Sequence, residues 1–261
     1  MTVLVGILCK DGVVVGTDSA ATFSSGRTNT IEQPTKKIDI VDGRVIVVGT
    51  GQVGLGQRFH AIVEKAWREK IFSKLSAIDA GKYLSAEGIK DFSSTHLKFS
   101  GQYGALVAFP CQHKPCLVEF APTDFQPEMK TPHLWYVSMG NAQGIADPFL
   151  GIARQVFWDD DGLPTCKEAT FVVTWILSAA IALNVGGVNG PMQIAVLQSE
   201  AGTFSVRTVE DAELQGHQDN VGGLVEHIRK YRDQLRGAGA EKARDVPKPD
   251  AEAAATPGKA A

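Results

Sequence analysis

Apolar residues gather near the N-terminus in two short runs that a charged turn separates. Residues 3–9 form the first run, and Val13-Val14-Val15-Gly16-Thr17-Asp18 forms the second. Both runs are rich in β-branched residues, so the pattern predicts a β-hairpin that begins almost at the first residue. The polar stretch from Thr22 to Thr35 predicts a loop. Residues 37–48 then predict a second hairpin, with its turn at Asp42-Gly43.

Helices and strands follow in groups rather than singly. Apolar residues at helical spacing predict two consecutive helices, one around Phe59 to Trp67 and one over about 77–97. The later patterns predict strands at 103–109, 116–120 and 133–138, helices at about 142–158 and 166–183, and strands at 192–197 and 204–209. Grouped hairpins flanked by helix pairs indicate antiparallel sheets covered by helices. The sequence therefore predicts an α+β fold, a four-layer αββα sandwich of two antiparallel sheets between helical layers.

The composition changes near the C-terminus. Residues 221–235 predict a final amphipathic helix with its basic residues late, where the helix dipole favours them. From Gly237 the chain is rich in Ala, Gly, Pro, Lys and Glu, and it has too few apolar residues to bury a core. We therefore predict a single domain over residues 2–236 and a disordered tail over 237–261.

The overall composition is that of an ordinary globular protein. The 261 residues are 44% hydrophobic and 21% charged, which fits one domain with a sizeable core. Lys and Arg number 26 and Asp and Glu number 29, so the formal charge is −3. This balance argues against a nucleic-acid-binding protein and against a polybasic protein of membrane surfaces.

The sequence also argues against a membrane or secreted protein. Its first residues lack a basic region and reach Lys10 too early for a signal peptide. The uncharged run from Ala169 contains several polar residues and breaks at Gly186-Gly187, which is typical of a core helix rather than a membrane span. Four cysteines are too few for a disulfide framework at this length. These features predict a soluble, cytoplasmic protein with reduced thiols.

Neither a metal site nor a cofactor site is predicted. Cys111, His113 and Cys116 do not have the spacing of a zinc knuckle. Residues 49–54 read G-x-G-x-x-G between a strand and a helix, as in dinucleotide-binding folds. Those folds continue through one helix to a parallel strand that ends in an acidic residue, whereas two helices follow here. A tight glycine turn is the preferred interpretation, and a nucleotide-dependent oxidoreductase remains the alternative.

Thr2 is a candidate nucleophile. Methionine before threonine is normally removed, which would leave Thr2 at a free N-terminus. The α-amine, with a reference pKa of about 7.7–8.0, then accepts the hydroxyl proton near neutral pH. Two further residues fit this chemistry, since Asp18 ends the strand paired with the first one and Lys37 begins the next strand. A lysine held near Thr2 by an aspartate would stabilise the forming alkoxide.

Together these residues resemble the opening of the proteasome β-subunit family of N-terminal nucleophile hydrolases, in particular its simple bacterial members that form homo-oligomeric rings. The resemblance covers residues 2–22 in register and the Lys36-Lys37-Ile38 segment. The predicted order of strands and helices agrees with that family to about residue 210. The resemblance implies the αββα fold of a catalytic domain, with Thr2 as nucleophile and Asp18 and Lys37 as its supporting pair.

The resemblance also implies a substrate-binding role for the glycine turn and for the third strand. Gly51 would supply a backbone N–H to the oxyanion hole, the kind of donor that is often the largest catalytic term. Ala21 and Thr22 match positions that bind the substrate backbone as an added strand. Gly49 and Ala21 would help to line the pocket before the scissile bond, which suggests a roomy site for large apolar side chains.

One position departs from the family pattern. Family members usually have a serine in a Ser-Gly turn before the third helix, where it binds the α-amine. Here the turn reads Ser138-Met139-Gly140-Asn141, and Met139 takes the place of the serine. Ser138 is the candidate substitute, provided that the turn shifts by one residue.

The predicted function is that of a threonine endopeptidase that hydrolyses peptide bonds inside stacked homo-oligomeric rings. Its partners would be peptide or unfolded protein substrates and, by family likeness, an ATP-dependent unfoldase. The largely apolar helix from Ala169 to Leu183 is a candidate contact surface between subunits. Three alternatives remain: a catalytically silent ring protein, an N-terminal threonine amidase that acts on small molecules, and the oxidoreductase mentioned above.

Overall fold

The computed structural model describes residues 2–25, 28–94, 103–158, 162–200 and 202–244. In chain order the strands are β1 (Val3–Leu8), β2 (Gly12–Thr17), β3 (Ala20–Ser25), β4 (Thr28–Pro34), β5 (Ile38–Val41), β6 (Val45–Gly51), β7 (Tyr103–Cys111), β8 (Lys114–Phe120), β9 (Pro127–Met129), β10 (Tyr136–Gly140), β11 (Gln193–Glu200) and β12 (Thr203–Thr208). The helices are α1 (Val53–Arg68), α2 (Ile71–Lys74), α3 (Ala77–Ser93), α4 (Gln143–Phe157), α5 (Cys166–Ala182) and α6 (Asp211–Arg244), and a 3₁₀ turn covers Val185–Gly187.

Two five-stranded antiparallel sheets form the centre of the fold. The first has the order β10-β1-β2-β11-β12, and the second has the order β5-β6-β7-β8-β9. Helices α4 and α5 pack on the first sheet, whereas α1 and α3 pack on the second. Strands β1 and β2 contact β8 across the sandwich. The predicted αββα architecture is confirmed.

Burial on both faces explains the continuous apolar runs of β1 and β2. Both strands are buried at every position. A Cβ atom at Gly6 would meet Leu106 and Leu117 of the second sheet, whereas one at Gly16 would meet Val173 of α5. Because no face of the hairpin reaches solvent, its side chains do not alternate between polar and apolar types.

The stretch from Thr22 to Thr35, which the sequence predicted to be a loop, forms the separate hairpin β3-β4. Its described residues from Ile31 to Pro34 are exposed. The polar composition that suggested a loop therefore reflects a hairpin that lies outside the core, where strands need not be apolar. The predicted turn at Asp42-Gly43 is present between β5 and β6, with positive φ at both residues.

The glycine motif of residues 49–54 forms the junction of β6 and α1. Gly51 has φ +111°, a backbone conformation that favours glycine. Strand β6 pairs with β5 and β7, and both pairings are antiparallel. The junction therefore lacks the parallel βαβ context that dinucleotide binding requires, and the oxidoreductase interpretation loses its structural basis.

The last helix differs from its predicted bounds. It begins at Asp211 rather than at residue 221 and extends to Arg244, past the predicted start of the tail at Gly237. Asp211 and Glu213 in its first turn favour a helix start there. Contacts divide the chain into two units, Met1–Gln218 and Asp219–Ala261, and α6 contributes to both. Residues 245–261 of the predicted tail lie outside the described part of the chain.

No helix among the described residues is both long enough and apolar enough to cross a membrane. The most apolar helix, α5, has 17 residues. It packs on β2 and on α4, and nine of its residues are buried.

Candidate active site

Thr2 lies immediately before the central strand β1 and is 6% exposed. Its carbonyl oxygen accepts a hydrogen bond of 2.8 Å from the backbone N–H of Asn141. Gly140, which pairs with Val3, has φ +95°, and a Cβ atom there would lie 2.2 Å from the Thr2 carbonyl oxygen. Only glycine fits this close approach, so the turn after β10 fixes the backbone of Thr2.

Asp18 follows β2 and is fully buried. Its Oδ1 atom accepts a hydrogen bond from the backbone N–H of Val3 at 3.1 Å, and its Oδ2 atom accepts one from Ala20 at 3.1 Å. These bonds use both carboxylate oxygens and hold the side chain beneath Thr2. The position predicted from the hairpin pattern therefore brings a buried carboxylate to the start of β1.

Lys37 joins the two residues. Its Nζ atom donates to Thr2 Oγ1 at 3.1 Å and to Asp18 Oδ1 at 2.8 Å. The lysine side chain is 10% exposed. Burial lowers the pKa of Lys37, and the hydrogen bond and charge of Asp18 oppose that shift. The structure thus places an ammonium group between a hydroxyl and the carboxylate that compensates its charge.

Gln193 supports Lys37, although the sequence reasoning did not find it. Its Oε1 atom accepts the backbone N–H of Lys37 at 3.0 Å, and its Nε2 atom donates to the Thr35 carbonyl at 2.7 Å. The side chain at the start of β11 therefore holds the segment that leads into β5. The only sequence signal for Gln193 is that a polar residue begins the apolar run 193–197. That signal does not indicate a partner 156 residues away.

A cleft of about 890 Å³ opens beside Thr2. Five residues that the resemblance marked are among its lining: Thr2, Ala21, Lys37, Gly49 and Gly51. Ala21 lies in β3, and Gly51 is the last residue of β6. Thr22 is also in β3, but its side chain is outside the described part of the structure. The cleft has the size and position for a substrate at the Thr2 hydroxyl.

The structure does not bring Ser138 to Thr2. Ser138 pairs with Val5 on the face of the first sheet that α4 and α5 cover, and its hydroxyl donates to Asp147 of α4. Met139 pairs with Leu4 on the opposite face, where its Cε atom approaches Gly104 of the second sheet. The turn has not shifted by one residue, so Ser138 does not substitute for the family serine.

Gly49 lines the cleft, as the resemblance implied, but the space beside it is partly filled. A Cβ atom at Gly49 would lie 2.3 Å from the hydroxyl oxygen of Tyr103, which is almost fully buried. The tyrosine ring therefore occupies the space that the glycine leaves. The same end of the cleft carries Asp39 and His60, whose Oδ2 and Nδ1 atoms are 3.1 Å apart.

A possible metal-ligand group lies at the far end of the β1-β2 hairpin. Ligand atoms of Cys9, Asp11 and Cys166 lie within 4.8 Å of one another. Both oxygens of Asp11 already accept hydrogen bonds, from the N–H of Cys166 and from Gln198 Nε2. These bonds give Asp11 a structural role at the start of α5. Because β1 separates Cys9 from Thr2, the group is not part of the cleft.

Comparison with known proteins supports the fold. The chain is similar to the solved structure of a Gly-1 mutant of Anbu from Hyphomicrobium sp. strain MC1, with a TM-score of 0.67. The two sequences are 11% identical, and the match covers 90% of this chain and 100% of that chain. No family model and no curated protein matches the sequence. The chain therefore shares the fold of that solved structure.

Proposed function

We propose that this protein is a threonine peptidase that cleaves amide bonds through an acyl-enzyme on Thr2. The observation that carries the proposal is the contact of Lys37 Nζ with both Thr2 Oγ1 and Asp18 Oδ1 at the edge of the cleft. A buried lysine that an aspartate holds beside a hydroxyl would stabilise the negative charge that the hydroxyl oxygen carries during attack. Removal of Met1 is a requirement of this proposal, since it frees the α-amine.

The proposed reaction has two steps. The α-amine of Thr2 accepts the hydroxyl proton while Oγ1 attacks the substrate carbonyl carbon, and the proton passes to the leaving amine as the amide C–N bond breaks. The α-amine of Thr2 then accepts a proton from water, which attacks the ester, and it passes that proton to Oγ1 as the acid product leaves. Lys37 stabilises the oxygen of Thr2 while it carries charge. Backbone N–H groups of the turn at Gly51 are the proposed donors to the oxyanion.

Extended peptides are the proposed substrates because the cleft lies between β3 and the glycine turn after β6. Ala21 and Ala20 of β3 and Gly49 of β6 line it, so backbone groups of two strands are next to the nucleophile. A substrate in extended conformation can pair with such strands over several residues. This pairing would place an amide bond of the substrate next to the Thr2 hydroxyl.

Assembly into homo-oligomeric rings is part of the proposal, and α4 rather than α5 provides the surface for it. The apolar side chains of α5 are mostly buried within the subunit. On α4, in contrast, Ile152, Val156 and Phe157 are 59%, 66% and 37% exposed. Adjacent exposed apolar residues are typical of protein interfaces. An unfoldase that feeds the rings, and the cytoplasmic location, remain predictions.

The test is the intact mass of the purified protein before and after incubation with a peptide epoxyketone, which reacts with a free α-amine and its neighbouring hydroxyl. We expect loss of Met1 and one adduct per chain. Thr2→Ala should lose the adduct and all peptide turnover, because it keeps the small first residue but removes Oγ1. Thr2→Ser, the matched variant, should keep the adduct.

Two outcomes would contradict the proposal. One is a chain that retains Met1, and the other is a Thr2→Ala variant that cleaves peptides at the rate of the original protein. Native mass spectrometry of the same samples tests assembly separately. A monomer that forms the adduct would remove the ring from the proposal while leaving the nucleophile in place.

A catalytically silent protein of the same fold is the second candidate. The position of Ser138 favours it, since that hydroxyl binds Asp147 and Met139 stands where the family has its serine. Met139 brings no hydroxyl to that position. A processed chain that assembles but forms no adduct would support the silent protein.

A further inference from the structure

The cleft beside Thr2 carries a carboxylate. Asp39 is the acidic residue among the described residues that line the cleft, and its side chain is 42% exposed. It follows Lys37 by two positions, at the edge of the second sheet, and both residues line the same cleft. The carboxylate therefore lies in the cleft that holds the lysine in contact with Thr2.

Two neighbours shape the surroundings of Asp39. His60 of α1 lies 3.1 Å from Asp39 Oδ2 and is 28% exposed, so it fixes the carboxylate from the helix side. Tyr103 fills the floor below Gly49. Burial and the charge of Asp39 raise the pKa of the Tyr103 hydroxyl, which keeps its proton. The end of the cleft is thus polar and negatively charged rather than apolar.

The two lysines of the cleft have other surroundings than Asp39. Lys37 is already compensated by Asp18 at 2.8 Å. Lys36 is exposed, and its long side chain can keep its ammonium group in water. An apolar substrate side chain placed here would strip water from the carboxylate without replacing its hydrogen bonds. A cationic side chain would replace them with charge-assisted ones.

We propose that Asp39 makes this peptidase select a lysine or arginine on the acyl side of the scissile bond. The inference rests on the proposed function, because it names the substrates of the same site. His60 acts as a positioning residue that orients the carboxylate. Tyr103 limits the depth of the pocket and leaves its hydroxyl near the end of a long side chain.

The experiment compares two fluorogenic peptides that differ only in the residue before the scissile bond. One carries lysine and the other carries norleucine, which has a similar length and no charge. We expect kcat/KM of the full-length protein to be at least tenfold higher for the lysine peptide, which is about 1.4 kcal/mol at 25 °C. Asp39→Asn removes the charge on which the tenfold preference depends. In this variant the kcat/KM values for the two peptides should therefore lie within about twofold of each other.

Two further variants sharpen the comparison. Glu64→Gln removes one negative charge from an exposed position of α1 outside the cleft, and it should retain the lysine preference. Asp39→Lys should reverse the preference toward a peptide with glutamate at the same position. Urea unfolding of each variant reports whether it is folded, because that measurement does not depend on the substrate.

The outcomes separate this inference from the proposed function. Thr2-dependent cleavage of norleucine at the lysine rate or faster would overturn the selection by Asp39 and leave the peptidase intact. A lysine preference that persists in Asp39→Asn would also overturn it. If no peptide is cleaved and no epoxyketone adduct forms, both the peptidase and the selection are wrong.

Discussion

Replacing Asp18 with asparagine is the sharpest test of the way the site is built. The carboxylate is fully buried and accepts from Val3, Ala20 and Lys37 at once. Asparagine has nearly the same shape, but it has one acceptor oxygen in place of two. Its NH₂ group would face one of these three donors, and that donor would then have no acceptor. The substitution therefore changes charge and hydrogen bonding while it leaves packing volume almost unchanged.

The expected cost follows from the burial of the pair. Lys37 is 10% exposed and Asp18 is 0% exposed, so an ammonium group that has lost the charge of Asp18 would remain inside the protein. Removing one partner of a buried ion pair costs about 3–5 kcal/mol. For a domain of this size, that loss of unfolding free energy lowers the melting temperature by roughly 6–20 °C. Adding Lys37→Met to Asp18→Asn should recover part of the loss, because no buried charge is then left alone.

The assay is urea unfolding of Asp18→Asn, Lys37→Met, the double variant and the original protein at one protein concentration, since assembly also contributes to apparent stability. The double variant should be more stable than Asp18→Asn alone. A loss below about 1 kcal/mol in Asp18→Asn, the size expected of an exposed pair, would refute the reasoning. A double variant whose loss of unfolding free energy equals the sum of the two single losses would also refute it, because the effects of coupled neighbouring residues are not additive.

Two further predictions concern catalysis. Because burial lowers the pKa of Lys37 below 10.5, its charge is lost earlier than that of an ordinary lysine as the pH rises. kcat/KM measured from pH 6 to 11 should therefore fall on the alkaline side before pH 10.5, and a rate still rising there would exclude a charged Lys37 from the mechanism. Ser138→Ala should change turnover by less than about threefold, far below the ~10²–10⁴-fold of a lost acid or base, because the hydroxyl binds Asp147. A loss of two orders of magnitude would return Ser138 to the site.

Much of the fold could be predicted because its elements are long and strongly patterned. The β1-β2 hairpin carries continuous apolar runs, and α5 begins at a Thr165 capping box with Glu168. The hairpin β3-β4 was missed because its sequence is largely polar and shows no apolar alternation. The start of α6 was placed ten residues late, since Asp211 and its neighbours favour a helix by charge rather than by apolar spacing.

The site could be predicted only where its residues belong to a recognisable local pattern. Thr2, Asp18 and Lys37 each begin or end a predicted strand, and the resemblance grouped them. Gln193 and Asn141 act through distant partners, so no local spacing reveals them. The charge of the cleft was missed for a related reason. Asp39 alternates with Ile38 and Ile40, and its pairing with His60 depends on how α1 packs.

The contacts of Gln193 have a consequence for the synthesis of the protein. Thr2 leaves the ribosome long before Gln193, whose side chain holds the segment that presents Lys37 to it. Gly140 and Asn141, which contact the Thr2 carbonyl oxygen, are also synthesised later. Under the proposed function, the nascent chain therefore carries Thr2 through most of this interval without the groups that would activate it. Because the parts of the site are far apart in the sequence, the site is assembled only when the fold around it is nearly complete.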